Sequence, residues 1–158
     1  MEQTTKCLTG ISGLDAVLGG GLPRNCLYLV DGHPGVGKTT LALQFLLEGV
    51  KQKERCLYVT LSETKPELEA VAKSHGWDLT GIDIIELSSV ERLMAKSQNT
   101  MFQSASVELN HLSKLLLDEV ERTSPSRIVL DSLSEMRLLA LNPLRYRRQI
   151  LHFKQRFA

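Results

Sequence analysis

The sequence predicts an α/β fold in which a doubly wound, mostly parallel sheet is covered by helices on both faces. Short apolar runs of five or six residues alternate along the chain with longer stretches of helical periodicity, the pattern of parallel strands joined by crossover helices. A glycine-rich stretch, Gly32–Thr39, stands between the first apolar run and the helical stretch after it. No internal repeat or low-complexity tract interrupts the alternation, so the 158 residues are predicted to form one domain or part of one.

The first part of the chain is predicted to form a leading segment, a strand and a helix. Within residues 1–24, Ile11–Leu18 has a short helical pattern, which three glycines and Pro23 end in a tight turn. Cys26–Asp31, CLYLVD, is a nearly continuous apolar run, which predicts a strand buried on both faces. From Lys38 to Gln52 the pattern is helical and has two apolar stripes, which predicts a helix that is buried on two sides. The stripes are Leu41, Ala42, Phe45 and Leu46, and Leu43, Leu47 and Val50.

A second strand, a helix and a third strand are predicted next. The second strand is CLYVTL, Cys56–Leu61. After it, Thr64 can cap a helix while Glu67 reaches back to the cap, and Gly76 marks the end of that helix. The apolar run IDIIEL, Ile82–Leu87, predicts the third strand.

The last part of the chain is predicted to contain a loop, a helix, a fourth strand and a basic C-terminal run. Val90–Ser104 is polar and without a clear period, which predicts a loop. Helical spacing then continues to Ser124 and Pro125, and RIVLD, Arg127–Asp131, predicts the fourth buried strand. The apolar residues at that helical spacing are Leu109, Leu112, Leu116 and Val120.

The C-terminal run, Leu138–Ala158, contains basic and aromatic residues and no acidic residue. Two interpretations are open. Aromatic side chains among basic ones are compatible with a nucleic-acid surface. Leu144, Ile150, Leu151 and Phe157 lie near one helical face, which favours a crossover helix whose basic side faces solvent.

Composition narrows the classes of function. The 19 basic and 18 acidic residues give a net charge of +1, so no broad field attracts nucleic acid or an acidic surface. No run approaches the about 18 apolar residues that span a membrane, and the N-terminus has no secretory signal, so a cytoplasmic protein without a membrane contact is expected. Cys7, Cys26 and Cys56 are too widely spaced for a zinc motif or a disulfide framework, and the histidines are assigned no ligand role.

The stretch Gly32–Thr39, GHPGVGKT, matches the phosphate-loop pattern in full, between a predicted strand and a helix N-terminus. Gly35 and Gly37 let backbone N–H groups turn towards phosphate oxygens, and the helix dipole adds positive potential. Lys38 reaches the outer phosphates as a catalytic cation, and Thr39 offers its hydroxyl to Mg²⁺. The residues predicted to contact the nucleotide are Gly32, Pro34, Gly35, Val36, Gly37, Lys38, Thr39 and Thr40.

Two carboxylates follow other strands and are candidates for the chemistry. Asp131 ends RIVLD, so it is expected at the carboxyl end of the sheet, where α/β proteins hold ligands; beside a phosphate loop it is predicted to support Mg²⁺. A helix-capping role is the alternative. Glu63 follows the second strand and is the catalytic candidate, because it could orient or deprotonate an attacking water. Alternatively, Glu63 is only a polar residue in the turn before Thr64.

Four blocks resemble the KaiC-like branch of the RecA superfamily in their order and spacing: GISGLDAVLGGGLPRN, GHPGVGKTTLALQFL, YVTLSETK and RIVLDSLSEMRLLALNPLRYRRQI. The resemblance implies a RecA-like P-loop NTPase fold that binds ATP and Mg²⁺ between subunits of a homo-oligomeric ring, commonly a hexamer, in signalling or clock-type timing. It implies that residues 1–158 are the N-terminal part of one such domain, with a leading segment over 1–24 and an incomplete nucleotide-binding core over 25–158. The C-terminal strands would be missing, including one between the Asp131 strand and the phosphate-loop strand.

One departure from the family concerns hydrolysis. Clock-type members place paired glutamates where this chain has Ser62 and Glu63. Glu63 is one residue further along an extended chain, so its side chain is expected on the opposite face unless the turn redirects it. The resemblance therefore implies slow ATP hydrolysis, and the alternative is a module that holds ATP to set assembly or partner affinity. Recombinase-type DNA binding finds little support, because the DNA loops of that superfamily would lie beyond Ala158, and GTP is disfavoured by the absence of an Asn-Lys-x-Asp motif.

Overall fold

The computed structural model describes residues 5–87 and 105–157, and it confirms the predicted α/β fold. The strands in these ranges are β1 (Lys6–Cys7), β2 (Leu22–Pro23), β3 (Cys56–Thr60), β4 (Ile82–Glu86) and β5 (Arg127–Asp131). The helices are α1 (Ser12–Val17), α2 (Lys38–Lys51), α3 (Lys65–Ser74), α4 (Ala105–Thr123), α5 (Leu133–Ala140) and α6 (Pro143–Phe157). The predicted loop Val90–Ser104 lies outside the described residues.

The central sheet has three parallel strands in the described residues, with β3 between β4 and β5. In this register Thr60, at the end of β3, lies opposite Glu86 of β4 and Asp131 of β5. The carboxyl ends of the strands therefore meet at one edge of the sheet. This is the edge at which open α/β sheets hold their ligands.

Helices cover both faces of the sheet, which confirms the doubly wound arrangement. Alternate residues of β3 point to opposite faces, and all five are buried. Leu57 and Val59 lie in one core with residues of α4, α5 and α6: Leu109, Leu112, Leu116, Met136 and Phe153. Cys56 and Tyr58 lie in the other core with residues of α2 and α3: Leu43, Leu46, Leu68 and Ala72.

The helix after β3 begins where the sequence predicts it. The carboxylate of Glu67 accepts hydrogen bonds from the backbone N–H of Thr64 at 2.7 Å and from its hydroxyl at 2.8 Å. These hydrogen bonds from Thr64 lower the pKa of the Glu67 carboxyl. The capping contact fixes the point at which the chain leaves the sheet edge and enters α3.

The leading segment contains the predicted short helix and tight turn. Strands β1 and β2 pair antiparallel, with Cys7 opposite Leu22. Gly21 has φ +106°, and a Cβ atom there would lie 2.2 Å from the carbonyl oxygen of Cys7. A side chain at this position would push the two strands apart.

Arg127, the first residue of β5, ties the leading segment to the sheet. Its side chain is 1% exposed and donates hydrogen bonds to the Glu54 carboxylate at 2.5 Å and to the backbone oxygens of Leu8 at 2.5 Å and Phe45 at 2.9 Å. Arg24 forms a second ion pair with Glu54. Burial by itself would raise the pKa of the Glu54 carboxyl, but hydrogen bonds from Arg24 and Arg127 outweigh it and lower the pKa.

The prediction of a buried strand over Cys26–Asp31 is wrong. The six residues form no strand and all are exposed; Leu29 is 74% exposed and Val30 is 49% exposed. Strand β5 pairs with β3 on one side, and no described strand lies along its other side. A strand needs backbone hydrogen bonds to a neighbouring strand, which an apolar run cannot supply by itself.

The helix predicted in the C-terminal run is confirmed as α6, but its buried face differs from the prediction. Leu144 and Leu151 are 70% and 49% exposed, whereas Phe153 is 1% exposed. Partly buried side chains on the face of Phe153 are Tyr146, Ile150 and Phe157. Aromatic rings bury more apolar area than leucine side chains, which explains why the helix turns this face inward. The basic residues of α6 are exposed, as predicted.

Candidate functional site

The phosphate loop lies in front of α2, with Asp31–Gly37 exposed. Gly37 immediately precedes the helix with φ +91°, and Gly35 has φ +82°, conformations that favour glycine. The backbone N–H groups of Lys38, Thr39 and Thr40 belong to the first helical turn, where a helix offers them no acceptor of its own. The loop therefore presents N–H donors and the positive end of a helix dipole at one place.

The Lys38 side chain folds back over this loop. Its Nζ atom donates hydrogen bonds to the backbone oxygens of Gly32 and His33, both at 2.9 Å. Gly32 is also closely packed, because a Cβ atom there would lie 2.9 Å from Cγ2 of Val36. The ammonium group is thus held above the loop that the sequence assigns to phosphate. The remaining predicted contacts are Pro34, which is exposed, and Thr40, which is half-buried.

Asp131 and Thr39 meet at the edge of the sheet. The Thr39 hydroxyl donates a hydrogen bond of 2.8 Å to Oδ2 of Asp131, and the Tyr58 hydroxyl donates one of 2.6 Å to the same oxygen. The other carboxylate oxygen, Oδ1, accepts no hydrogen bond from the described residues, and Asp131 as a whole is half-buried. The predicted metal pair is therefore brought together, with Oδ2 of the carboxylate held by two donors.

Sequence reasoning missed Tyr58. Its side chain is fully buried in the core beneath α2 and α3. Tyr58 and Thr60 point to the same face of β3, and Thr60 lies opposite Asp131. The two-residue period of a strand was the available signal, but it becomes informative only when the partner strand and its register are known.

The turn after β3 contains Glu63 and is held by Thr60. The Thr60 hydroxyl accepts a hydrogen bond from the backbone N–H of Glu63 at 2.9 Å and donates one to its backbone oxygen at 2.7 Å. Oε2 of Glu63 is buried and has no hydrogen-bond partner among the described residues. Burial, followed by the nearby charges of Asp131 and Glu67, raises the pKa of the Glu63 carboxyl. Ser62 is exposed.

The predicted site residues suit a magnesium nucleotide in their chemistry. The loop amides and Lys38 can hold phosphate oxygens, and the Thr39 hydroxyl and Asp131 carboxylate are oxygen groups of the kind that Mg²⁺ prefers. A buried carboxylate oxygen without a partner is uncommon, and a water molecule against Oε2 of Glu63 would satisfy it. In residues 5–87 and 105–157, the candidate site included, no three His, Cys, Asp or Glu side chains are arranged to hold a metal ion. No helix in the same ranges is long and apolar enough to cross a membrane.

Comparison with known proteins identifies related sequences. A family model described as "ATPase: KaiC" matches residues 7–158. The circadian clock oscillator protein KaiC 1 of Synechocystis sp. is 35% identical over 135 residues, which cover 85% of this chain and 24% of that protein. UPF0273 protein PH0284 of Pyrococcus horikoshii is 39% identical over 77 residues, 49% of this chain and 31% of that protein. A UPF0273 protein of Thermotoga maritima is 28% identical over 137 residues, 81% of this chain and 55% of that protein. The chain thus spans about a quarter to about half of the length of these relatives.

Proposed function

The chain belongs to the KaiC family of ATPases, and we propose that it binds Mg·ATP at the phosphate loop and hydrolyses it with Glu63 as the general base. The observation that carries the proposal is the hydrogen bond of 2.8 Å between Thr39 and Asp131. It brings the hydroxyl at the start of α2 to the carboxylate at the end of β5, and a magnesium ion in a P-loop site needs both.

The binding step assigns separate tasks to the loop and to Lys38. The N–H groups of the first turn of α2 would hold phosphate oxygens, because they have no acceptor within the helix. Lys38 would exchange the two backbone oxygens for the outer phosphates, since a hydrogen bond between charged groups is stronger than one to a neutral carbonyl. Bound Mg²⁺ would supply positive charge against the phosphate oxygens. Thr39 and Asp131 would orient it.

Glu63 is proposed to orient the attacking water and accept its proton at Oε2. Within residues 5–87 and 105–157 this oxygen is buried without a hydrogen-bond partner, and Glu63 follows Thr60, which lies opposite Asp131. Burial raises the pKa of the carboxyl towards the range in which a carboxylate is an effective base. The Thr60 hydroxyl, which contacts both backbone polar groups of Glu63, keeps the turn in the conformation that directs the carboxylate inward.

A second candidate function is an ATP-binding module with little turnover, which sets assembly or partner affinity. Ser62 favours it, because clock-type members are expected to carry a carboxylate at this position and the Ser62 hydroxyl is exposed. In either case we propose that ATP acts in a homo-oligomeric ring of six subunits, in signalling or clock-type timing. Asp31–Gly37 is exposed, which supports a site that a second subunit could contact. A cytoplasmic location stays a prediction.

Calorimetric titration of the chain with ATP, with and without Mg²⁺, tests the assignment of the site. Lys38→Ala should abolish measurable binding, because it removes the ammonium held over the loop. Lys51→Ala is the matched control, since Lys51 lies in the same helix with a side chain that is 75% exposed. Unchanged ATP affinity in Lys38→Ala would refute the site. A phosphate-release assay then separates hydrolysis from binding alone.

A further inference from the structure

We propose that Tyr58 is a positioning residue for the metal site: its buried hydroxyl holds Oδ2 of Asp131 so that Oδ1 stays available to Mg²⁺ or to a water bound to it. The inference rests on the proposed function, because it concerns the same magnesium nucleotide. It adds a residue that lies outside the phosphate loop and carries no charge.

The geometry places the two residues as a diagonal cross-strand pair. Tyr58 lies opposite Val129 in the register of β3 and β5, and Asp131 lies two residues beyond Val129 on the same face. Residues on one face of neighbouring strands lie side by side, so a long aromatic side chain can reach across this diagonal. The hydroxyl therefore meets the carboxylate at 2.6 Å while the ring remains in the core.

The Tyr58 hydroxyl is not needed to fill the core. Tyr58 is fully buried, and the ring of phenylalanine would occupy nearly the same volume without a polar atom. A buried hydroxyl is costly unless it has a partner, and the partner here is a carboxylate, which makes the hydrogen bond stronger than a neutral one.

Thr39 is the second donor to Oδ2 of Asp131, and its presence explains the role of the Tyr58 hydroxyl. The Thr39 hydroxyl also donates to Oδ2, and its oxygen is the atom predicted to contact Mg²⁺. A small shift of Thr39 towards the ion would leave Asp131 free to rotate if Thr39 were its one donor. Tyr58 donates to Oδ2 from β3, whereas Thr39 donates from α2. A movement of Thr39 therefore leaves the hydrogen bond from Tyr58, which keeps the carboxylate in place. Partners of this kind commonly change metal affinity by about 10- to 100-fold when they are removed.

The test is the Mg²⁺ dependence of nucleotide binding in Tyr58→Phe. A non-hydrolysable ATP analogue is titrated by calorimetry without Mg²⁺ and at several Mg²⁺ concentrations, and each variant is melted to check that it folds. We expect a rise of about 10-fold in the Mg²⁺ concentration that gives half of the Mg²⁺-dependent gain in nucleotide affinity. The affinity measured without Mg²⁺ should be unchanged. Tyr146→Phe is the matched control, because Tyr146 is a half-buried tyrosine on α6 that packs in the core on the other face of the sheet.

A double-mutant cycle makes the outcome specific. In an Asp131→Asn background, Tyr58→Phe should no longer change the Mg²⁺ dependence, because its target carboxylate is gone. The inference is overturned if Tyr58→Phe has no effect, weakens binding equally with and without Mg²⁺, acts unchanged in the Asp131→Asn background, or fails to fold. If the unaltered chain binds no nucleotide, the proposed function itself has failed and the inference falls with it.

Discussion

The hydroxyl of Thr39 and the carboxylate of Asp131 are joined by a hydrogen bond of 2.8 Å across 92 positions of the sequence. One residue is in the first turn of α2 and the other ends β5, so the contact exists only because the helix packs on the sheet. The contact brings the Asp131 carboxylate to the residue that directly follows Lys38.

Asp131→Asn should weaken Mg²⁺-dependent ATP binding by about 10- to 100-fold and spare Mg²⁺-free binding, because the proposed partner of the carboxylate is the ion or its water. Calorimetry under both conditions measures the difference. Asp83→Asn is a matched control, since Asp83 is an exposed aspartate on β4. Equal losses with and without Mg²⁺ would mark Asp131 as a structural residue.

Glu63→Gln should lower kcat for ATP hydrolysis by about 100- to 10,000-fold with little change in ATP affinity, because it removes the proposed base and keeps the shape of the side chain. Ser62→Glu should change kcat by less than about 3-fold, since Ser62 is exposed whereas Oε2 of Glu63 is buried. Steady-state kinetics on both variants compare the two positions. A large gain in Ser62→Glu would show that Glu63 is not the base.

The pH profile of kcat is a separate consequence of the same carboxyl. Glu63 acts in its ionised form, so activity should fall as the pH drops through its pKa, which burial and the charge of Asp131 raise. The acidic limb is therefore expected at a higher pH than an ordinary glutamate would give. An acidic limb in the ordinary range would contradict the proposed environment of Glu63.

Glu54→Gln should lower the free energy of unfolding by about 3 kcal/mol at neutral pH, because the Arg127 guanidinium, 1% exposed, loses its counter-charge. Folding lowers the pKa of the Glu54 carboxyl, so its contribution is present above the pKa of the unfolded chain. That contribution is lost as pH falls through the lower, folded pKa.

Urea unfolding at several pH values measures both effects of Glu54→Gln. Glu69→Gln is the control, since Glu69 is 56% exposed and its ion pair with Lys65 has a separation of 3.9 Å; a change under about 0.5 kcal/mol is expected. A Glu54→Gln variant as stable as its control would show that Arg127 does not depend on the ion pair.

Gly49→Ala should destabilise the fold by about 1–3 kcal/mol although alanine is the better helix former, because a Cβ atom there would lie 2.6 Å from Sγ of Cys56 and 2.7 Å from Cδ of Arg127. Gly13→Ala, in α1, should stabilise it by about 0.5–1 kcal/mol, since nothing lies within 4 Å of a Cβ atom at that position. Thermal unfolding compares the two. Equal stabilisation by both substitutions would mean that α2 does not approach β3 and β5 this closely.

Features that depend on neighbouring residues could be predicted from the sequence. The capping contact of Thr64 and Glu67 needs three residues of separation, and α2, α3, α4 and β3 follow from periodicity within their own segments. The phosphate loop is local in the same sense, because the glycines, Lys38 and Thr39 are consecutive and act through one turn of backbone. Residue type and spacing were therefore sufficient for the α/β fold, while the role of the loop in binding phosphate stays a prediction.

Features that depend on distant partners were decided by the tertiary structure. The apolar run Cys26–Asp31 could become a strand only beside another strand, and no described strand lies there. Packing of α6 against the sheet buries Phe153 and leaves Leu144 exposed. The turn after β3, held by the Thr60 hydroxyl, directs Glu63 inward. Tyr58 gained its role through the register of β3 against β5. Each of these outcomes depends on backbone pairing or close packing between segments far apart in the chain. The residues within one segment do not determine which partner will pack against them.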